Sequence, residues 1–221
     1  MKEKTAIIFG ATGLVGSYVL NYLLYDDRYE KIKIFTRKPL NINHSKIEET
    51  IIDILNFDSY SDKIKGDDLF CCIGTTRGKA GSKENFKKID FLVPVKIAEI
   101  AYNNGVDNFI VISSIGANHK SKIFYLKVKG MMEEEVKKFK FKKLFILRPS
   151  MLLGKRNEFR LLEEIGKILM RLFGFLMVKQ FKKYKGIKAS TVARCMINLA
   201  NCTTGKTVIE SDEIVLHAGR G

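Results

Sequence analysis

Residues 5–20 read TAIIFGATGLVGSYVL. An apolar run from Thr5 to Phe9 passes through three glycines into a stretch whose apolar residues recur at helical spacing. The run predicts a buried strand, and the stretch after it a helix from about Leu14 to Tyr25. A glycine triplet carries little information alone. Between a strand and a helix it has a mechanism, because tight turning, close approach of a pyrophosphate and close helix packing each need a residue without a Cβ. Gly10, Gly13 and Gly16 take these roles in that order, with Thr12, Leu14 and Val15 completing the loop. The amides and positive dipole of the helix N-terminus then face the phosphates.

The same punctuation continues along the chain. KIKIFTR (31–37), ETIIDIL (49–55), DDLFCCIG (67–74), NFIVISSIG (108–116) and KLFILRPS (143–150) read as further strands. Helical patterns fall at 85–103 and 122–138. Strands that are apolar throughout and alternate with helices imply a parallel sheet covered on both faces, hence a doubly wound, Rossmann-type α/β fold. Beyond residue 155 the alternation weakens. An amphipathic helical stretch at 157–178 is followed by a helix at 190–201 and a tail, KTVIESDEIV, expected to give one or two short strands. The expectation is one domain over 1–221, with 155–221 forming a small C-terminal, substrate-side region.

The 221 residues suffice for one such domain. No secretory leader and no membrane span is read; the most apolar late stretch, ILMRLFGFLMV, is short and broken by Arg171. The four cysteines and three histidines show no metal-ligand spacing, so no metal is expected and the thiols read as reduced core residues of a cytoplasmic protein. The net charge of +15 is spread along the chain rather than gathered in one arm. That argues against a nucleic-acid partner, although the positive field favours a ligand carrying phosphate.

The end of the second strand bears on which dinucleotide fits. A site for NAD usually places Asp or Glu there, on the ribose 2′-hydroxyl. Here the strand ends FTRKP, and Arg37 and Lys38 stand where the acid would be. A guanidinium suits a 2′-phosphate, so NADP(H) is expected in preference to NAD(H). Asp53, near the end of the third strand, is either a contact for the adenine amino group or a solvated surface residue.

Three Tyr-x-x-x-Lys pairs occur: Tyr29/Lys33, Tyr125/Lys129 and Tyr184/Lys188. The first straddles the start of a strand and the last spans Gly186 in a loop. Tyr125 and Lys129 share one face of a predicted helix and follow the fifth strand, at the carboxyl end of the sheet where ligands bind. A phenol is a poor base at neutral pH. An adjacent ammonium and a positive nicotinamide would favour the phenolate; bringing its pKa to about 7 takes roughly 4 kcal/mol. Tyr125 would exchange a proton with a substrate oxygen, Lys129 would hold ribose hydroxyls, and Ser114, further past the strand end than Ser113, would hold the substrate oxygen.

GATGLVG, SSIGA, YLKVK and LRPS together resemble the atypical short-chain dehydrogenases/reductases. CCIGTTRGKAGS, YLKVKGMMEEEV and RPSMLLGKR are similar to the Tat-interacting oxidoreductase-like proteins within that group. The resemblance covers essentially the whole chain. It implies a monomeric or homodimeric protein that binds NADPH, with Ser114, Tyr125 and Lys129 as the catalytic set. It also implies that Gly74, Thr75, Thr76 and Ser113 line the cofactor, that Arg37 and Lys38 hold the 2′-phosphate, and that Pro149 lies beside the nicotinamide. The expected activity is hydride transfer between NADP(H) and a small carbonyl or alcohol. The alternatives are an NADPH-binding sensor that engages a protein partner and a sugar-nucleotide epimerase or dehydratase, for which the roughly seventy residues after the sixth strand are few. The basic loop 75–83 reads either as a substrate lid or as a solvated loop.

Overall fold

The structure is a computed structural model that describes residues 3–153, 185–202 and 205–219. Seven parallel strands form one sheet, in the order β3-β2-β1-β4-β5-β6-β9. They are β1 (Lys4–Phe9), β2 (Tyr29–Thr36), β3 (Ile47–Ile51), β4 (Asp68–Cys71), β5 (Asn108–Ile112), β6 (Lys143–Arg148) and β9 (Val208–Glu210). Strands β7 (Leu152–Leu153) and β8 (Ile187–Lys188) pair separately. The chain order reverses between β1 and β4, which opens a crevice at the carboxyl ends of those strands.

The core has two halves because strand side chains alternate. Ala6 and Ile8 of β1 pack toward α1 (Gly16–Leu24), α6 (Ala189–Asn201) and α7 (Ser211–Ala218). Ile7 and Phe9 pack toward α4 (Val93–Asn103) and α5 (Phe124–Val136). The doubly wound expectation is met in this layering.

A polar cluster fastens the amino end of the sheet. Buried Asp68 accepts hydrogen bonds from Tyr29 Oη at 2.6 Å, from Lys4 Nζ at 3.1 Å and from Asn108 Nδ2. Asn201 Nδ2 donates to the same Tyr29 oxygen at 2.9 Å. Four strands and α6 are joined there, so the buried carboxylate has its partners.

Three elements differ from the sequence reading. β3 ends at Ile51 rather than 55, because Asp53 Oδ1 accepts from the Leu55 amide and turns the chain into two 3-10 turns, Phe57–Ser59 and Ser61–Lys63. The helix expected at 85–103 is three pieces: α3 (Lys83–Lys87), a π-turn (Lys88–Leu92) and α4. The tail gives one strand, β9, and then a helix, because Glu210 and Glu213 form a reciprocal capping box that starts α7. The expected helix at 157–178 lies outside the described residues.

Candidate active site

The glycine loop follows β1 at the crevice. Gly10 has φ +86°, and a Cβ there would lie 2.7 Å from the Cys72 carbonyl oxygen at the end of β4. Both constraints exclude other residues. A Cβ on Gly16 would overlap the Gly10 carbonyl, so α1 can begin this close to the loop only with glycine. The Gly13 amide closes the turn on Gly10 O at 2.9 Å. No side chain caps α1. Thr12 is exposed and Gly13 and Leu14 are half-buried, whereas Val15 buries its side chain in the core and offers the loop only its backbone.

Arg37 and Lys38 follow β2 directly, both exposed, and Thr36 Oγ1 fixes the bend by donating to the Lys38 carbonyl at 3.0 Å. Asp53 lies two residues beyond β3, exposed, with one carboxylate oxygen engaged by its own turn. These residues lie beyond the carboxyl ends of β2 and β3, on the glycine-loop side of the sheet.

The segment after β4 connects the loop to the candidate catalytic residues. A Cβ on Gly74 would stand 3.4 Å from Asp90 Oδ1 and 3.8 Å from Lys129 Nζ. The Thr75 amide donates to Asp90 Oδ2 at 2.9 Å. Thr76 turns away from this contact: its hydroxyl accepts from the Lys79 amide at 3.2 Å and its carbonyl from Ala80, starting the short helix α2 (Arg77–Ala80). Part of the loop 75–83 is therefore helical.

Tyr125 is in the first turn of α5 and Lys129 one turn later. Lys129 is 4% exposed, with Nζ 2.8 Å from Asp90 Oδ1 and 3.5 Å from the Ile112 carbonyl at the end of β5. Its pKa is raised: burial opposes the ammonium, and the charges of Asp90 and Tyr125 outweigh that. The Ser114 hydroxyl donates to the Ile115 carbonyl at 3.3 Å and lies close enough to Tyr125 to influence its ionisation. The Tyr125 pKa is also raised, chiefly by burial; Lys129 and Ser114 pull it down, while Asp90 pushes it up. Among the chain's own groups, burial and Asp90 outweigh the pull of Lys129 and Ser114; the expected lowering rests on Lys129 together with a positive nicotinamide. The lysine's charge is already shared with a carboxylate.

Ser113 and Ser114 part company. The Ser113 hydroxyl donates to Glu133, which also receives Arg148 Nε at 2.9 Å, and Arg148 reaches Glu210 at 3.1 Å. This network ties α5 to β6 and β9 and engages the Ser113 hydroxyl as a donor. Pro149 is buried, and its carbonyl accepts from Ile115 at 3.0 Å, joining the loops after β5 and β6.

Sequence reasoning missed three contributors. Asp90 reads as one polar position in a helix, yet Phe86, Val93, Pro94, Ile97 and Ala98, at the spacings of one helical face, are all buried. A lone aspartate on an apolar stripe was the available signal. Phe86 is fully buried and packs its ring on both Phe124 and Tyr125, at centroid distances of 5.7 Å. Gly130 lets the 117–119 backbone cross α5 directly, since a Cβ there would overlap Asn118 and His119.

Several known proteins are similar to this chain. A family model described as NAD(P)H-binding matches residues 10–169. The chain is 32% identical over 225 residues to Protein HTATIP2 of Rattus norvegicus, covering 100% of this chain and 91% of that protein. It is 36% identical over 157 residues to Protein FMP52, mitochondrial, of Debaryomyces hansenii, covering 70% of this chain and 69% of that one. The solved UDP-N-acetylglucosamine 4-epimerase from Methanobrevibacter ruminantium M1 superposes with TM-score 0.71 at 19% identity, covering 95% of this chain and 76% of that one. The fold and the glycine loop define a Rossmann-type NAD(P)-binding protein of the short-chain dehydrogenase/reductase class. The chain belongs to the NAD(P)H-binding family, and within it to the atypical group that contains the HTATIP2 and FMP52 proteins. The FMP52 relative is named as a mitochondrial protein, whereas the reading of the thiols led to the expectation of a cytoplasmic one. Among the described residues no helix is long and apolar enough to cross a membrane.

Proposed function

We propose that this protein is an NADP(H)-dependent oxidoreductase acting on a small carbonyl or alcohol. The observation that carries this reading is a single chain of contacts. Gly10 lies against Cys72, Gly74 lies against Asp90 and Lys129, and Lys129 stands one turn from Tyr125. The glycine cradle and the uncapped start of α1 fit a pyrophosphate. Arg37 and Lys38 would hold a 2′-phosphate, and Lys129 the adjacent ribose. The bound dinucleotide supplies or takes up the hydride.

Within the chain, Ser114 orients the substrate oxygen and Tyr125 gives or takes its proton. The buried phenol is suited to giving one. Phe86 and the buried loop after β6 keep water from that exchange. The epimerase likeness extends to the fold alone.

The test is oxidation of NADPH over a panel of aldehydes, ketones and quinones. Consumption of NADPH in step with substrate supports the reading. Turnover with the cofactor retained would instead indicate an epimerase. A panel without turnover, alongside NADPH-dependent capture of a protein partner, would indicate a sensor.

A further inference from the structure

Asp90 has no part in the chemistry described so far, yet its placement is costly. It is 0% exposed, in a π-turn that joins α3 to α4 without interrupting the helical path. Such turns recur where a side chain must be re-aimed for function. The carboxylate is held on two sides, by the Thr75 amide at 2.9 Å and by Lys129 Nζ at 2.8 Å, and among the described residues Oδ1 has no partner besides the ammonium. Buried ion pairs are commonly no more stabilising than apolar replacements, so a contribution to folding is a weak account of it.

Taking Tyr125 and Lys129 as the reactive pair, as above, we propose that Asp90 is a positioning residue for proton transfer. Its carboxylate clamps Lys129 between the ends of β4 and β5 and neutralises the ammonium beside Tyr125. Tyr125 thereby rests in its protonated form, the form that gives a proton to a carbonyl oxygen, and abstraction from an alcohol is moved to higher pH.

The groups around the phenol are consistent with this. Lys129 and Ser114 favour its ionisation, burial and Asp90 oppose it, and Cys71 on β4 is itself held protonated by burial. Lys83 on α3 directs its ammonium to the Phe124 ring, 5.6 Å from the centroid.

The experiment is a spectrophotometric titration of the Tyr125 phenol. It is taken as the absorbance difference between each protein and its Tyr125→Phe counterpart, so no substrate is needed. Asp90→Asn should lower the apparent pKa of Tyr125 by about one unit or more, because an unshielded ammonium then faces it. In a Lys129→Met background the same substitution should have a much smaller effect, since the carboxylate works through the lysine. The Asp90→Asn/Lys129→Met double variant leaves no lone buried charge, which keeps the comparison usable if Asp90→Asn alone folds poorly. An unchanged Tyr125 titration in Asp90→Asn, or an equal shift with and without Lys129, overturns the proposal. Failure of the carbonyl panel with a normal shift here would instead count against the proposed activity.

Discussion

The phenol of Tyr29 donates to Asp68 at 2.6 Å, at the end of the sheet away from the glycine loop. That bond decides between two of the three Tyr-x-x-x-Lys pairs. Tyr29 is spoken for by a buried carboxylate and by Asn201, and burial, with the charge of Asp68, pushes its pKa far above the ordinary value. Tyr29→Phe should cost about 1.5–3 kcal/mol, the range for a hydrogen bond to a charged group. Urea unfolding should register that loss, and binding of a nicotinamide dinucleotide should be unchanged.

Gly16→Ala tests the loop. The new methyl would overlap the Gly10 carbonyl, so α1 must retreat from the turn it caps. Thermal melts should show a lower midpoint and little or no added stabilisation by dinucleotide. Mass action otherwise requires that stabilisation of any ligand that binds only the folded state.

Arg37→Ala addresses cofactor choice. Loss of a charge-assisted pair with a 2′-phosphate at an exposed site should weaken NADPH binding by about tenfold. NADH binding, which lacks that phosphate, should change little. Equal losses for both would place Arg37 elsewhere.

The buried thiols give a pH dependence. Burial pushes Cys71 and Cys195 up from 9.0 to about 12. The folded state therefore holds these protons more tightly than the unfolded state. The stability they contribute is complete below pH 9 and is lost as pH rises toward 12. Native protein at pH 8 should leave both unreactive toward a thiol reagent, and equilibrium unfolding should show stability falling across that alkaline window.

Much of this was legible in the sequence, for identifiable reasons. Gly10, Gly13 and Gly16 sit where only glycine fits, and uniformly apolar strands announce a sheet covered on both faces. The offset to the pull of Lys129 on the Tyr125 phenol was not legible. It depends on Asp90, thirty-nine positions before Lys129 in a segment whose i→i+5 turn no composition signals. Ser113 and Ser114 are likewise indistinguishable as letters. Their contacts separate because Glu133 of α5, itself held by Arg148 of β6, accepts a hydrogen bond from only the first. The helix in SDEIV was announced by the glutamates at 210 and 213, a capping pattern easily read as an alternating strand.

The most direct test of the central claim is Tyr125→Phe, measured for NADPH binding and for turnover of a carbonyl substrate. The substitution removes one oxygen from the first turn of α5 and leaves the ring packed on Phe86. Binding should stay within about twofold of the unaltered protein, and turnover should fall by about 10²–10⁴, the usual worth of a positioned proton donor. Turnover at the original rate would show that the proton comes from elsewhere and would contradict the account.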